Sequence, residues 1–399
     1  MSTFQSVQLK EVVRSVENWN PLKAGTDETF HYIDLSAIDQ DSKRITGARE
    51  ISCVDAPSRA RQLVEQDDVL VATVRPNLNG VAMISSELHE ATASTGFCVI
   101  RPDQKRLDPS YLFHWVKTEK FVSEMVRQAT GASYPAVSDK IVLGSSIPLP
   151  SLPEQHRIAA ILDKADALRA RRREALKQLE KLEQSIFVEM FGDPISNPKG
   201  WPKVALQELC EHPDDIKCGP FGTQLAKSEF TTKGVPLWGI RNVNAKFLRP
   251  TEEFVAARTA ERLRAYSVIG GDIVMTRKGT VGNCAIYPHN FPSGIMHSDL
   301  LRLRSSSKKC SPEFLSHQLH HSQDVERQLA LISGGAVMPG INVSRLKSLM
   351  VLNPPLELQT RFGQAVEKID TQKGLQLSAL REIDSLFASI QDRAFRGEL

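Results

Sequence analysis

Residues Pro153 to Gly192, PEQHRIAAILDKADALRARRREALKQLEKLEQSIFVEMFG, leave this chain few ways to fold. Apolar or small residues recur at Ile158, Ile161, Ala165, Leu168, Ala175, Leu179, Leu182 and Ile186, a three-four alternation broken by Arg172, with no glycine or proline inside. That spacing predicts one long amphipathic helix with a heptad seam. The stretch occurs twice. A shift of 204 residues lays residues 130–191 over 334–395 without a gap, matching Gly131 to Gly335, Pro135 to Pro339, Gln155 to Gln359, Arg157 to Arg361, Lys164 to Lys368, Asp166 to Asp370, Ile186 to Ile390 and Phe191 to Phe395. Upstream, the same shift pairs Asp68 with Asp272. The second seam reads Phe362, Ala365, Ile369, Ala379, Ile383, Leu386 and Ile390, with Gln372 and Gln376 in its middle.

A repeat of this length implies the order module, helix, module, helix. An apolar seam left in water is unstable, so each helix needs an apolar partner, and the other copy is the nearest candidate. The expected arrangement is antiparallel, which relates two similar halves by a pseudo-twofold axis. Each helix would run for roughly 60 Å at about 1.5 Å per residue, the proportions of a spacer.

The expected boundaries are a first module over 1–150, a central helix over 151–192, a second module over 193–353 and a C-terminal helix over 354–399. At 399 residues, with 41% hydrophobic and 24% charged side chains, each module is large enough for its own core. Within the modules, FHYIDLSAID from Phe30 and VPLWGIRNVN from Val235 read as twin strands, as do Asp67–Val74 and Gly271–Thr276. The latter pair lead into RPNLNG (75–80) and RKGTVG (277–282). Helices are expected over 109–128 and 312–331, followed by the loops TGASYP and SGGAVMP. The second module alone carries a glycine-rich turn around an aromatic, KCGPFGTQL at 217–225. Short strands, few long helices and glycine-rich loops give the class α+β, two similar α/β domains separated by two long paired, coiled-coil-like helices.

The net charge of +3 does not by itself demand nucleic acid. Lys164–Lys181 holds seven Lys or Arg against three Asp or Glu, which fits a solvated helix face, a docking surface or a floor for phosphate. No apolar run is long enough for a signal peptide or a membrane span, so a cytoplasmic location is expected, with no membrane partner. Six scattered cysteines without a CxxC pair suggest free thiols and no metal site. RKGTVG lacks the phosphate-loop pattern, and no GxGxxG follows a strand. Asn353-Pro354-Pro355-Leu356 looks like the tetrapeptide with which amino-methyltransferases hold a flipped base, but Leu356 stands where an aromatic is needed for stacking. The motif reads instead as a helix boundary. No nucleophile–base pair or HExxH is present, and no active site is expected.

The phrase LPSLPEQHRIAAILDKADAL with the long basic helix after it, the GPFG turn, RKGTVG, YIDLSAI, TVRPNLNGVAMI and ASTGFCVIRPD together resemble the specificity subunit of type I restriction-modification enzymes. The resemblance covers essentially the whole chain. In the second copy, Leu358 and Phe362 depart from the Glu and Ile of the pattern. The resemblance implies a non-catalytic, sequence-reading subunit with two target recognition domains. Each domain reads one half of a bipartite site in double-stranded DNA, and the helices set the spacer and dock the modification subunits. It also implies two modification subunits that use S-adenosylmethionine, and restriction subunits that use ATP and Mg, with no cofactor in this chain.

Side chains on rigidly mounted loops read base edges, while neighbouring Lys and Arg fix the register on phosphate. The DNA-binding candidates are Arg75, Asn77, Asn79, Ser133 and Tyr134 in the first module. In the second they are Lys217, Thr223, Gln224, Arg241, Asn242, Asn244, Arg277, Lys278 and Thr280. Gly279, Gly282, Gly334 and Gly335 read as tight backbone turns. Two other classes compete, a self-contained restriction-modification protein and a two-headed protein scaffold. The repeat leaves no room for the catalytic domain that the former needs.

Overall fold

The computed structural model describes residues 4–24, 28–248, 250–333 and 340–399. They form two compact units, Met1–Ala175 with Gln376–Leu399, and Leu176–Leu375. The long helices run over Leu152–Phe191 and Leu356–Arg396, so each unit holds one module and a segment of both helices. A glycine in the left-handed region follows each helix, Gly192 at φ 81° and Gly397 at φ 76°, where a Cβ would be disfavoured.

In the first unit, a four-stranded sheet has the order Val13–Arg14, Phe97–Pro102, Val69–Ala72, Val81–Met83. A second has the order Arg49–Ser52, Thr29–Ile33, Thr92–Ser94, Ala60–Leu63, with one parallel pair between its middle strands. The second unit repeats the plan. Ile216–Cys218, Leu300–Leu303, Ile273–Thr276 and Cys284–Ile286 form one sheet. A five-stranded sheet holds the parallel pair Val235–Trp238 and Gly294–Met296. In each unit, a two-stranded ribbon ties the start of the module to the strand just before its long helix, Ser6–Gln8 with Ser146–Pro148 and Lys203–Ala205 with Met350–Leu352.

Identical residues of the repeat do identical work. Asp68 is buried and accepts from Arg101 Nε at 3.0 Å and Nη2 at 2.9 Å, and from the Glu65 amide. Asp272 accepts from Arg304 Nε and Nη2, both at 2.7 Å, and from the Ile269 amide. A buried carboxylate is tolerated when its lone pairs are filled in this way. Gln155 and Gln359, both fully buried, bolt the start of each long helix to its module. Gln155 accepts from the Asp108 amide and donates to the carbonyls of Arg106 and Pro150. Gln359 accepts from the Ser311 amide and donates to Asn353 Oδ1 and the Pro354 carbonyl. Asn353 is thus engaged at a helix boundary.

The helices expected over 109–128 and 312–331 are each broken in two. The first pair are Pro109–Val116 and Glu119–Gln128, and the second are Pro312–His321 and Gln323–Ser333. The break falls where Thr118 Oγ1 and Ser322 Oγ accept from the amides of Phe121 and Val325, starting a new helix.

Within each unit the two helix segments pair antiparallel. In the first unit, Arg169 Nε donates to Asp384 Oδ1 at 2.6 Å and Arg172 Nη1 to Gln376 Oε1 at 2.6 Å. In the second, Lys373 pairs with Glu183 at 2.5 Å, and Phe187 lies edge-on to Phe362. The seam read from sequence is therefore wrong in its middle. Leu168, Leu182 and Leu386 are about half exposed (51%, 47% and 58%), while Arg169, Arg172, Glu183, Lys373 and Phe387 turn inward. Ion pairs and hydrogen bonds occupy the contact in the middle, while the seam positions Ile186 and Ile390 near the C-terminal ends of the helices still pack on the cores. The ends are apolar: Phe395 packs on Tyr111 and Trp115 in the first unit, and Phe191 on Phe187, Phe314 and Phe362 in the second.

Candidate nucleic-acid interface

In the first unit, the candidate residues sit on two segments held side by side. After the strand Val69–Ala72, the chain runs antiparallel to residues 135–137, with the Val137 amide on the Thr73 carbonyl and the Arg75 amide on the Pro135 carbonyl at 2.7 Å. This brings the exposed Arg75 guanidinium over the ring of Tyr134, 4.8 Å from its centroid. Tyr134 is 67% exposed, uncommon for a ring with no core to fill. Arg75 and Asn79 both hold left-handed backbone, at φ 52° and 47°, flanking a single 3-10 turn over Pro76–Leu78. Non-glycine residues rarely adopt this conformation, and they concentrate at functional sites. Asn77 and Ser133 are exposed on the same two segments. Lys43, which the sequence did not single out, donates to the Asn79 carbonyl at 2.6 Å, and burial lowers its pKa, reinforced by the nearby Lys117.

Three segments meet in the second unit. Arg277, which opens the RKGTVG loop, sets its guanidinium 5.2 Å from the centroid of Phe221 and donates to the Ile341 carbonyl. Phe221 is 52% exposed at the tip of the GPFG turn. Gly219 is obligatory there, because a Cβ would lie 2.1 Å from the His297 carbonyl oxygen. Gly279 and Gly282 have φ of 70° and 86°, the left-handed backbone that a tight turn requires. Thr280 Oγ1 and Asn283 Nδ2 both donate to Asn244 Oδ1, tying the loop to the short helix Ile240–Asn244, which also carries the exposed Arg241. Gly334 and Gly335 lie outside the described residues.

Several candidates are engaged inside the protein. Asn242 Oδ1 accepts from the Gly239 amide, and Gln224 Oε1 from the Phe221 amide and the Tyr266 hydroxyl. Lys217 lies within a strand, not a loop; it pairs with Asp214 at 2.9 Å, which holds that carboxyl below its ordinary value, and stands 5.5 Å from the Tyr266 centroid. Lys278 pairs with Asp299 at 3.2 Å and is itself exposed, as are Thr223, Gln224, Arg241, Asn244 and Thr280. Phe221 was visible in sequence only as an aromatic between glycines. Its stacking on Arg277 depends on two loops far apart in the chain.

On the helices, Arg169 and Arg173 face Asp384, at 2.6 and 3.9 Å. Arg171 and Lys177 remain exposed. An exposed guanidinium lying on an aromatic face offers planar, bidentate donors beside a π surface, a combination suited to purine edges and to phosphate.

The family model for the type I restriction modification DNA specificity domain matches residues 1–181 and 198–383, and the chain belongs to that family. The MjaVIII specificity subunit of a type I restriction enzyme from Methanocaldococcus jannaschii is 23% identical over 84% of this chain and 80% of its own length. A chain of a type I R-M system, solved for its complex assembly and conformational transition, is 28% identical over 99% of this chain and 98% of that one, with a TM-score of 0.56. The S subunit of the type I restriction-modification system of M. genitalium shares the fold at a TM-score of 0.60 and 14% identity, over 99% and 96% of the two chains. Two specificity domains in one chain match the two units of the structure. Among the described residues no helix is long and apolar enough to cross a membrane.

Proposed function

We propose that each unit reads one half of a bipartite DNA target and that the paired helices set the separation of the halves. The observation that carries this reading is the arginine–aromatic stack built once in each unit, the exposed Arg75 on Tyr134 and the half-buried Arg277 on the exposed Phe221. In both, the loop concerned follows the strand that begins beside a buried Asp–Arg pair, so a rigid base mounts a solvent-facing donor. Arg75, Asn77 and Tyr134 are the first-unit readers. Arg241, Arg277, Thr223 and Phe221 are those of the second, with Lys278 and Lys43 as phosphate contacts. The half-sites would lie about one turn of DNA apart.

Two modification subunits dock on the helices in this reading, with Arg171 and Lys177 among the groups offered to them or to spacer phosphate. Methyl transfer with S-adenosylmethionine, and ATP- and Mg-dependent cleavage, belong to those subunits and to restriction subunits. This chain selects the sequence. The test is binding of duplex DNA by the complex with its modification subunit as salt is raised. The expected result is an affinity that falls steeply with salt, with a slope lowered by about one for each phosphate-contacting Lys removed. Absence of DNA binding across a random-sequence library would establish the scaffold alternative.

A further inference from the structure

We propose that the second unit binds a divalent transition-metal ion, zinc or a metal of similar ligand preference, through Glu183, His317 and His321. This inference is independent of the DNA-reading proposal. Their donor atoms lie within 4.8 Å of one another. His317 and His321 are one helical turn apart on Pro312–His321, which puts both rings on one face, and Glu183 comes from the long-helix segment packed against it. A tetrahedral zinc with bonds of about 2.0–2.1 Å needs donors roughly 3.4 Å apart, a closure within reach of side-chain rotation.

His317 supplies the second observation. It is 5% exposed, and neither ring nitrogen has a hydrogen-bond partner, a costly state for a buried imidazole. One of its faces is covered by Phe187, stacked at 4.3 Å, and the His321 ring lies 4.6 Å away.

The other copy of the module is an internal control. His114, at the same position from the start of Pro109–Val116 as His317 in Pro312–His321, is just as buried, and its Nδ1 has no hydrogen-bond partner, but its Nε2 meets Asp163 Oδ1 at 2.8 Å. At the 204-residue shift Asp163 aligns with Glu367, which is exposed, and Phe387 near His114 aligns with Glu183. Asp163 is exposed too, so the units differ in the pairing: His317 has no hydrogen-bond partner, and a carboxylate, Glu183, stands on its other side beside a second histidine. Glu183 and His321 converge on the buried, unpartnered imidazole of His317, and the three make a donor set suited to zinc.

Lys373 pairs with Glu183 at 2.5 Å and competes for it, but Asp370 lies 3.6 Å from the same ammonium and offers it another carboxylate. His320 stands outside the set, its Nδ1 at 3.4 Å from Cys284 Sγ. Neither a cysteine pair nor HExxH marks this set in the sequence, because the histidines form HxxxH and the third donor lies on a distant helix. Bound metal would staple Pro312–His321 to the 176–191 segment within this unit.

The test uses the untagged full chain stripped with chelator. Cobalt(II) should give one visible-absorbing site per chain that zinc displaces, and zinc should raise the melting temperature. His321→Gln, at an exposed position, and Glu183→Gln should each weaken zinc binding by at least ~10-fold and abolish the thermal shift, whereas His320→Gln should leave both intact. Circular dichroism of the metal-free variants separates lost binding from lost fold. No cobalt band in the wild-type chain, or binding that survives in folded His321→Gln, would overturn the proposal and leave His317 as a core ring stacked on Phe187.

Discussion

At the scale of single residues, Gln155 and Gln359 each join three backbone or side-chain groups at the root of a long helix. Replacing Gln155 with Leu strands the Asp108 amide and two carbonyls in a dry site, and should cost about 2–4 kcal/mol. Hydrogen exchange is the discriminating measurement. Gln155→Leu should accelerate exchange in Pro109–Val116 and leave Pro312–His321 unchanged, with Gln359→Leu doing the reverse; equal acceleration in both helices under either variant would refute local clamps. The sequence marked these glutamines as identical without revealing what they do, because the groups they tie to the helix root, Asp108 and Arg106 for Gln155 and Ser311 for Gln359, lie 47, 49 and 48 residues away. It also offered Asn242, Asn244 and Gln224 as readers of DNA; in the fold their amide oxygens accept from the Gly239 amide, Thr280 Oγ1 and the Phe221 amide. Arg75 and Tyr134 were legible as polar loop residues, but the left-handed backbone and the stack between them were not.

Among the elements, helix existence and extent were plain from the absence of breakers, while the facing side was not. Leu168, Leu182 and Leu386 read as seam residues because they are apolar, yet the middle of the pair is held by Arg169–Asp384, Arg172–Gln376 and Glu183–Lys373. A polar seam has no apolar period of its own, so the period that the leucines supply points to an exposed face. The polar contacts also show where helix can be removed with least damage. Deleting Arg171–Lys177 together with Leu375–Arg381 takes out both members of the Arg172–Gln376 bond while keeping Arg169–Asp384 and Glu183–Lys373. One heptad rotates the remainder by only about 20°, so both ends should still fold. A helix shortened by about 10 Å corresponds to roughly three base pairs of DNA at about 3.4 Å each. Methylome sequencing of cells carrying the deletion should find the same half-sites with a shorter spacer, and an unchanged spacer would show that the helices are not the ruler.

Across the whole molecule, the two units share a four-stranded sheet of the same order, a second sheet around a parallel pair, a buried aspartate held by an arginine and a glutamine clamp. Their loops differ in sequence and supply the aromatic beside Arg75 and Arg277 from different places. That contrast, a constant frame with variable loops, is what independent readers of two different half-sites require. Independence also has an energetic consequence, since contacts made by separate units should add, and each lost base contact should cost about 1–3 kcal/mol at its own base pair with little effect elsewhere. The most direct measurement is a methylation-site map, made in the complex with its modification subunit, for Arg75→Ala with Asn77→Ala and separately for Arg241→Ala with Arg277→Ala. Each double variant should relax or weaken one half of the target and leave the other half and the spacer as in the wild type. If either variant degraded both halves equally, the two units would not be independent readers, and a single shared DNA-binding surface would have to take their place.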